Sequence, residues 1–318
     1  MRGNGLKILF MGTPDFALFS LRALVEAGEN VIGVVTQPDK PRGRGYELTP
    51  PPVKVYATEQ GLPVYQPNTL KSEAFDDLLK TLSPDLIVVV AYGKILPASV
   101  LAFPRHGCIN VHGSLLPAYR GAAPMQRAIM DGCTVTGVTT MCMDVGLDTG
   151  DMLLKGEIAI GPNDNFEDIH DRLGACGAQT LLRTLSSLRD GSLTPVKQDD
   201  ALATYAQKIE KADCLLDFSQ NAKALHDRIR GLSPIPLAFT HTPDGKLLKI
   251  LAARVSDLSC PADAAPGTVL SLDGGAITVA CGNATALDLL RVLPEGKGRM
   301  DAADFIRGRK ISVGDVLK

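Results

Sequence analysis

The chain has 318 residues, of which 45% are hydrophobic and 21% charged, and its formal net charge is −2. That composition buries a large core, which excludes disorder as the main state, and the length suggests about two domains. The near-neutral charge excludes non-specific coating of nucleic acid, and the longest apolar run, residues 86–92, falls far short of the roughly 20 residues of a membrane-spanning helix.

Residues 6–11 read as a buried strand. The strand leads straight into Gly12-Thr13-Pro14 with no small-residue cleavage site, so no secretory leader is expected. Residues 15–28 carry apolar side chains at helical spacing, with Gly28 as the stop, and residues 31–36 are a second strand. A helix at 53–60, a short strand at 63–65 and a helix at 71–82 follow, and 85–91 is a central strand rich in Val. Further strands are expected at 107–111 and 137–143, with helices at 122–131 and 165–189. Strands alternating with helices predict βαβ units, hence a Rossmann-like, mostly parallel sheet that gathers ligands beyond its carboxyl edge.

The texture changes near residue 190. Residues 191–207 read as a linker and 219–230 as one more helix. Short β-prone runs at 237–242, 247–255, 267–272, 276–280 and 286–292, separated by turn residues, predict a small β-barrel of the oligonucleotide-binding (OB-like) type. The expected organisation is therefore an α/β domain over 1–190, a linker over 191–207 and a barrel over 208–318. The seven Cys are odd in number, dispersed, and without a C-x-x-C pair. Reduced thiols of a cytoplasmic protein are expected, not a disulfide scaffold or a zinc ribbon.

Several familiar motifs are missing. No P-loop occurs, the first βα turn lacks G-x-G-x-x-G, and neither G-x-S-x-G nor H-E-x-x-H is present. Asp144, Asp148 and Asp151 fail the spacing of a calcium loop, so no metal is expected.

The informative segment runs from Gly107 to Pro117. Asn110 and His112 are two apart on a strand and so share one face. A second strand ends in a glycine-bounded loop that carries Asp144 and Asp148. If the two strands are neighbours, Asp148 reaches His112 and orients its imidazole, while Asn110 donates to a developing oxyanion. Asn, His and Asp converging without a metal or a nucleophile describe transfer of an acyl-type group to an amine. The plainer alternatives are a polar strand end with a satisfied histidine and a loop-capping aspartate. Cys108 shares the face and invites a thiol-hydrolase reading, but a mid-strand position does not suit a thiolate.

Asn110-x-His112-Gly-Ser-Leu-Leu-Pro-x-Tyr-Arg-Gly, with the later Met143-Asp144-x-Gly-Leu-Asp148-x-Gly loop, resembles the 10-formyltetrahydrofolate-dependent formyltransferases. The resemblance implies that Asn110, His112 and Asp148 are catalytic and that 10-formyltetrahydrofolate is the co-substrate. It places folate contacts at Ser114, Leu115, Leu116, Pro117 and Asp144, and the pterin wall at the strand end that includes Tyr92. Residues 37–45 and 49–54, with Lys40, Arg42 and Arg44, resemble the loop of family members whose acceptor is methionyl initiator tRNA. In those members the position of Phe16 lies near the methionyl group, and a C-terminal β domain helps to hold the tRNA. Two departures stand out: Tyr119 and Ile235 occupy positions where those members often carry Trp, which this chain lacks entirely.

Read physically, the 38–54 stretch is a cationic insertion able to contact phosphates, or else a plain solvated loop. The basic cluster Lys297, Arg299, Arg307, Arg309 and Lys310 is a further candidate for RNA backbone contact. Two other functions stay open: a formyltransferase for a small amine, and a non-catalytic RNA-binding protein on the same scaffold. No membrane association and no obligate protein partner are expected.

Overall fold

The computed structural model describes residues 5–42, 47–308 and 310–318. Arg44, Arg309 and the side chain of Arg42 lie outside the described residues. The chain divides into two compact units. One comprises 1–121, 136–158 and 170–205, the other 122–135, 159–169 and 206–318.

In chain order, the elements of the N-terminal half begin with β1 (Ile8–Gly12), α1 (Asp15–Glu26), β2 (Val31–Val35), β3 (Lys40–Arg42) and β4 (Glu47–Thr49). Next come α2 (Pro52–Glu59), β5 (Val64–Tyr65), α3 (Glu73–Leu82), β6 (Leu86–Val90), α4 (Ala98–Leu101) and β7 (Cys108–His112). They continue with β8 (Arg120–Gly121), α5 (Pro124–Met130), β9 (Val135–Cys142), β10 (Met152–Ala159) and α6 (Phe166–Asp190). The first unit is built on a seven-stranded sheet of order β10-β9-β7-β6-β1-β2-β5. Every residue of β1 and β6 is buried, as expected of parallel strands covered on both faces. Pairing is parallel from β5 through β7, and the strand order reverses at β1.

The sheet changes direction at β9, which runs antiparallel to β7, with Asn110 opposite Met141 and His112 opposite Thr139. The 137–143 strand is thus the expected neighbour, and its loop leaves from the amino end of β7 and folds back to reach His112. The 38–54 stretch, read as a loop, forms an antiparallel pair in its described part, with Lys40 opposite Thr49. Lys54 ties its base down through Asp39 at 2.7 Å and Gln66 at 2.8 Å.

The second half adds β11 (Tyr205–Ala206), α7 (Ala222–Leu232), β12 (Ala238–His241), β13 (Leu247–Val255), β14 (Val269–Ser271), β15 (Ile277–Cys281), β16 (Thr285–Pro294), β17 (Met300–Asp301) and α8 (Ala302–Arg307). In the second unit, strands of order β12-β13-β16-β15-β14 pair antiparallel over a core that includes Leu225, Ile229, Ile250, Val279 and Leu289. Residues 315–318 join the two edges. Leu317 N–H donates to Gly267 O at 2.9 Å and Val269 N–H to Asp315 O at 2.8 Å, while His241 and Lys318 exchange bonds of 2.7 and 3.1 Å. The open edges of β12 and β14 are closed in this way, which removes two exposed ladders. On α7, buried Asp227 pairs with Arg230 at 2.8 Å, and Arg230 donates to the carbonyls of Gly161 and Asp164.

Closure needs a glycine at 267. Its φ is +89°, and a Cβ there would lie 2.4 Å from the Leu317 carbonyl oxygen. Gly267→Ala is expected to destabilise this unit by about 2–4 kcal/mol. The fall should register in urea unfolding followed by circular dichroism, and an unchanged midpoint would show that the 315–318 pairing is dispensable.

Candidate active site

Strand β7 presents Cys108, Asn110 and His112 on one face, but their surroundings differ along it. Cys108 is buried in a cluster with Val89, Tyr92 and Val100, and burial pushes its thiol up to about 12. A thiol held protonated this way is no nucleophile, which removes the thiol-hydrolase reading. Two residues on, Asn110 is half-buried, and His112 is 6% exposed. The Nε2 atom of His112 lies 3.0 Å from the Tyr119 carbonyl oxygen. A carbonyl only accepts, so Nε2 carries a proton. The opposite ring edge, Nδ1, faces Asp148 Oδ2 at 3.6 Å. The structure therefore brings His112 and Asp148 together and sets Asn110 two residues before His112 on the same strand face.

Asp148 is held firmly. Its Oδ2 accepts from Gly121 N–H at 2.8 Å, and its backbone is left-handed, with φ +55°. Asp144, an expected folate contact, caps its own loop by accepting from Gly146 N–H at 3.0 Å and Thr149 Oγ1 at 2.7 Å. At Gly150 a Cβ would sit 1.9 Å from the Cys142 carbonyl oxygen, so only glycine fits. Gln198, 5% exposed, then clamps the loop: its Nε2 donates to the carbonyls of Asp148 and Gly150, each at 2.8 Å. Its Oε1 accepts from Arg120 Nε and Nη2 at 3.0 and 2.9 Å, and Arg120, 2% exposed, also bonds Asp200 at 2.7 Å.

Sequence reading missed Gln198 and left it in the linker. No local signal marks it, because its partners lie 48 to 78 residues away.

The expected folate contacts separate into two groups. Ser114 and Leu116 are fully buried, and Ser114 Oγ donates to Ala118 O at 2.6 Å. Thr139 on β9 and Lys155 on β10 pin this turn, through bonds to Ser114 O and Leu116 O. Tyr92 is 1% exposed, its hydroxyl buried without a partner among the described residues and pushed up to about 12 by burial. Ser114 and Leu116 are thus packed into the turn, and Tyr92 into the core. Leu115 and Pro117 are half-buried and Asp144 is exposed. Exposed apolar side chains instead mark the two loops after β6 and β9: Ile95 at 90%, Val145 at 81% and Leu147 at 60%. Exposed apolar side chains of this kind mark candidate contacts for the apolar parts of a ligand. The sequence signal for them was available, as apolar residues inside polar loops.

Phe16 is buried against the ring of His170, with centroids 5.7 Å apart. Lys40 is exposed, and its Nζ donates to Gln37 Oε1 at 2.7 Å. Among the described residues, no group of three or more His, Cys, Asp or Glu is placed to hold a metal ion, and no helix is long and apolar enough to cross a membrane.

The chain is similar to known proteins over most of its length. A family profile described as formyl transferase matches residues 6–185, and one described as formyl transferase, C-terminal domain, matches residues 208–310. A methionyl-tRNA formyltransferase of Geobacter metallireducens is 49% identical over 310 residues, covering 98% of both chains. A methionyl-tRNA formyltransferase of Bacillus licheniformis is 47% identical over 310 residues, covering 97% of this chain and 96% of its own. Among solved structures, WlaRD, a sugar 3N-formyl transferase, superposes with a TM-score of 0.64 at 16% identity, over 93% of this chain and all of its own. HypX from Aquifex aeolicus in complex with tetrahydrofolic acid superposes with a TM-score of 0.63 at 18% identity over 95% of this chain, which spans 47% of that structure. At those identities the structures show a shared fold. The matched profiles and the full-length relatives show that the chain belongs to the formyl transferase family.

Proposed function

We infer that this chain transfers the formyl group of 10-formyltetrahydrofolate to the α-amino group of methionyl initiator tRNA, giving the formylmethionyl-tRNA used to start translation. The observation that carries the reading is the Asn110–His112–Asp148 constellation in a chain 49% identical, end to end, to a methionyl-tRNA formyltransferase. The cationic hairpin around Lys40 supports a tRNA acceptor over a small amine, which needs no such extension. On this reading residues 1–190, with Gln198 from the 191–207 segment, carry the chemistry, and 208–318 help to hold the tRNA in the cytoplasm.

The residues divide the work as follows. The Asn110 amide donates to the formyl oxygen as it gains charge, an interaction stronger in the tetrahedral state than in the ground state. The acceptor amine forms a bond to the formyl carbon and must lose a proton. With Nε2–H occupied by the Tyr119 carbonyl, the proton enters His112 at Nδ1, directly or through water. There it faces the Asp148 carboxylate, which stabilises the imidazolium. Collapse breaks the bond between the formyl carbon and the folate nitrogen. His112 returns the proton to that nitrogen, leaving tetrahydrofolate and the formamide. Gly121 and Gln198 keep Asp148 in place throughout.

Asn110→Ala and His112→Ala should each lower kcat by about 100- to 10,000-fold, measured as tetrahydrofolate release, while tRNA affinity in a filter-binding assay stays within about twofold. Equal loss of binding and turnover would argue instead for a non-catalytic RNA-binding role. Gln198→Leu keeps the volume but leaves two carbonyls and one guanidinium edge unpaired. It should cost about 2–4 kcal/mol of stability and lower kcat well beyond any change in the folate KM. A variant with full kcat would show that Asp148 stays put without the clamp.

A further inference from the structure

The first unit holds a cleft of about 310 Å³ at the carboxyl edge of β1 and β2, under the β3–β4 hairpin. Six of its ten lining residues are prolines, contributed by the β1–α1 turn, the end of β2, the hairpin and the start of α2. The polar lining is Thr13, Gln37, Lys40 and Thr49, with no carboxylate among the described residues. Gln37 Nε2 donates to Tyr92 O at 2.9 Å, and its Oε1 receives one Lys40 N–H at 2.7 Å, so the amide is already satisfied. Lys40 has two further N–H donors to give.

The position matters as much as the lining. Met11, Val89 and Asn110 stand in line across β1, β6 and β7. The cleft therefore begins about 10 Å, two strand spacings, from the Asn110 strand. A methionyl side chain branches next to the reacting amine and is too short to span that distance. The next rigid group of a charged RNA end is the base of its terminal nucleoside, which the ribose carries further off. Flat proline walls suit the two faces of a base, and a cation at the rim suits the ring nitrogens of a purine, which accept hydrogen bonds. RNA ends are read in this way, with an unstacked base splayed into a pocket.

We propose that this proline-walled cleft seats the terminal nucleobase of the acceptor RNA, with Lys40 donating to the base edge. The proposal rests on the acceptor assignment of the preceding subsection and deepens it. The base anchors the RNA end on β1 and β2 while the aminoacyl group is offered to β7.

The test compares two methionyl initiator tRNAs, identical except that one ends in adenosine and the other in an abasic ribose. Binding is measured by fluorescence anisotropy with the full chain. The wild type should bind the adenosine-ended RNA about tenfold more tightly, the weight of one well-seated base. Pro50→Trp, which fills the cleft, should bring the ratio close to one, and Lys40→Met should reduce it. A wild-type ratio below about twofold, or an undiminished ratio in a Pro50→Trp protein that unfolds at the wild-type temperature, overturns the proposal. If Pro50→Trp does not fold, the wild-type ratio and Lys40→Met still decide it. Formyl transfer to the intact tRNA, followed in parallel, tests the acceptor assignment separately: transfer without a terminal-base preference overturns the cleft alone, and neither binding nor transfer overturns both.

Discussion

One buried amide holds the candidate site in shape. The two N–H groups of Gln198 span the carbonyls of Asp148 and Gly150, and its oxygen takes two N–H groups of Arg120. A left-handed aspartate is not a conformation the backbone keeps unaided. Every polar atom of the glutamine side chain is used, so the loop cannot drift without stranding a buried donor or acceptor, at about 1–3 kcal/mol for each. Arg120 is itself buried, but it touches solvent through Asp200, whose side chain is 82% exposed. The charge is thus compensated without a second buried ion, which spares the fold much of the usual desolvation penalty.

The other half of the site depends on strand parity. Along β7, one face passes from a thiol sealed in the core to a half-buried amide to an imidazole bonded at one edge and facing a carboxylate at the other. Polarity thus increases toward the end of the strand, where backbone pairing stops and side chains are needed to do chemistry. The antiparallel course of β9 makes the arrangement possible. Its following loop starts beside Cys108, with Met143 N–H bonded to Cys108 O, and must cross the face of β7 to bring Asp148 to His112. Asp148 therefore covers the imidazole from the face of the sheet, not from its carboxyl edge.

Much of this was legible in the sequence, for identifiable reasons. The runs of β1 and β6 announce strands covered on both faces, and the i, i+2 spacing of Asn110 and His112 announces a shared side. The strands of the second unit were legible as β-prone runs separated by turns, though not the 315–318 segment that closes them. What was not legible depends on distant partners. Strand direction at β9 leaves no trace in composition. Gln198 looks like any polar linker residue until Asp148 and Arg120 are beside it. The burial of Ser114 and Leu116 in their turn also depends on distant partners, Thr139 and Lys155. That Lys40 would bond Gln37, three residues before it, was not legible either.

The closure of the second unit's sheet carries a temporal consequence. The outer edges of β12 and β14 are paired by residues 315–318, as far as 77 positions after His241 and 50 after Gly267 in the bonded pairs His241–Lys318 and Gly267–Leu317. Chains fold as they are made, N-terminal portions first. The βαβ units of the first sheet pair near neighbours and can assemble early, but a nascent barrel must wait with two unpaired ladders until its final pairing segment emerges. During that interval it presents open β-edges, which are templates for pairing with other chains.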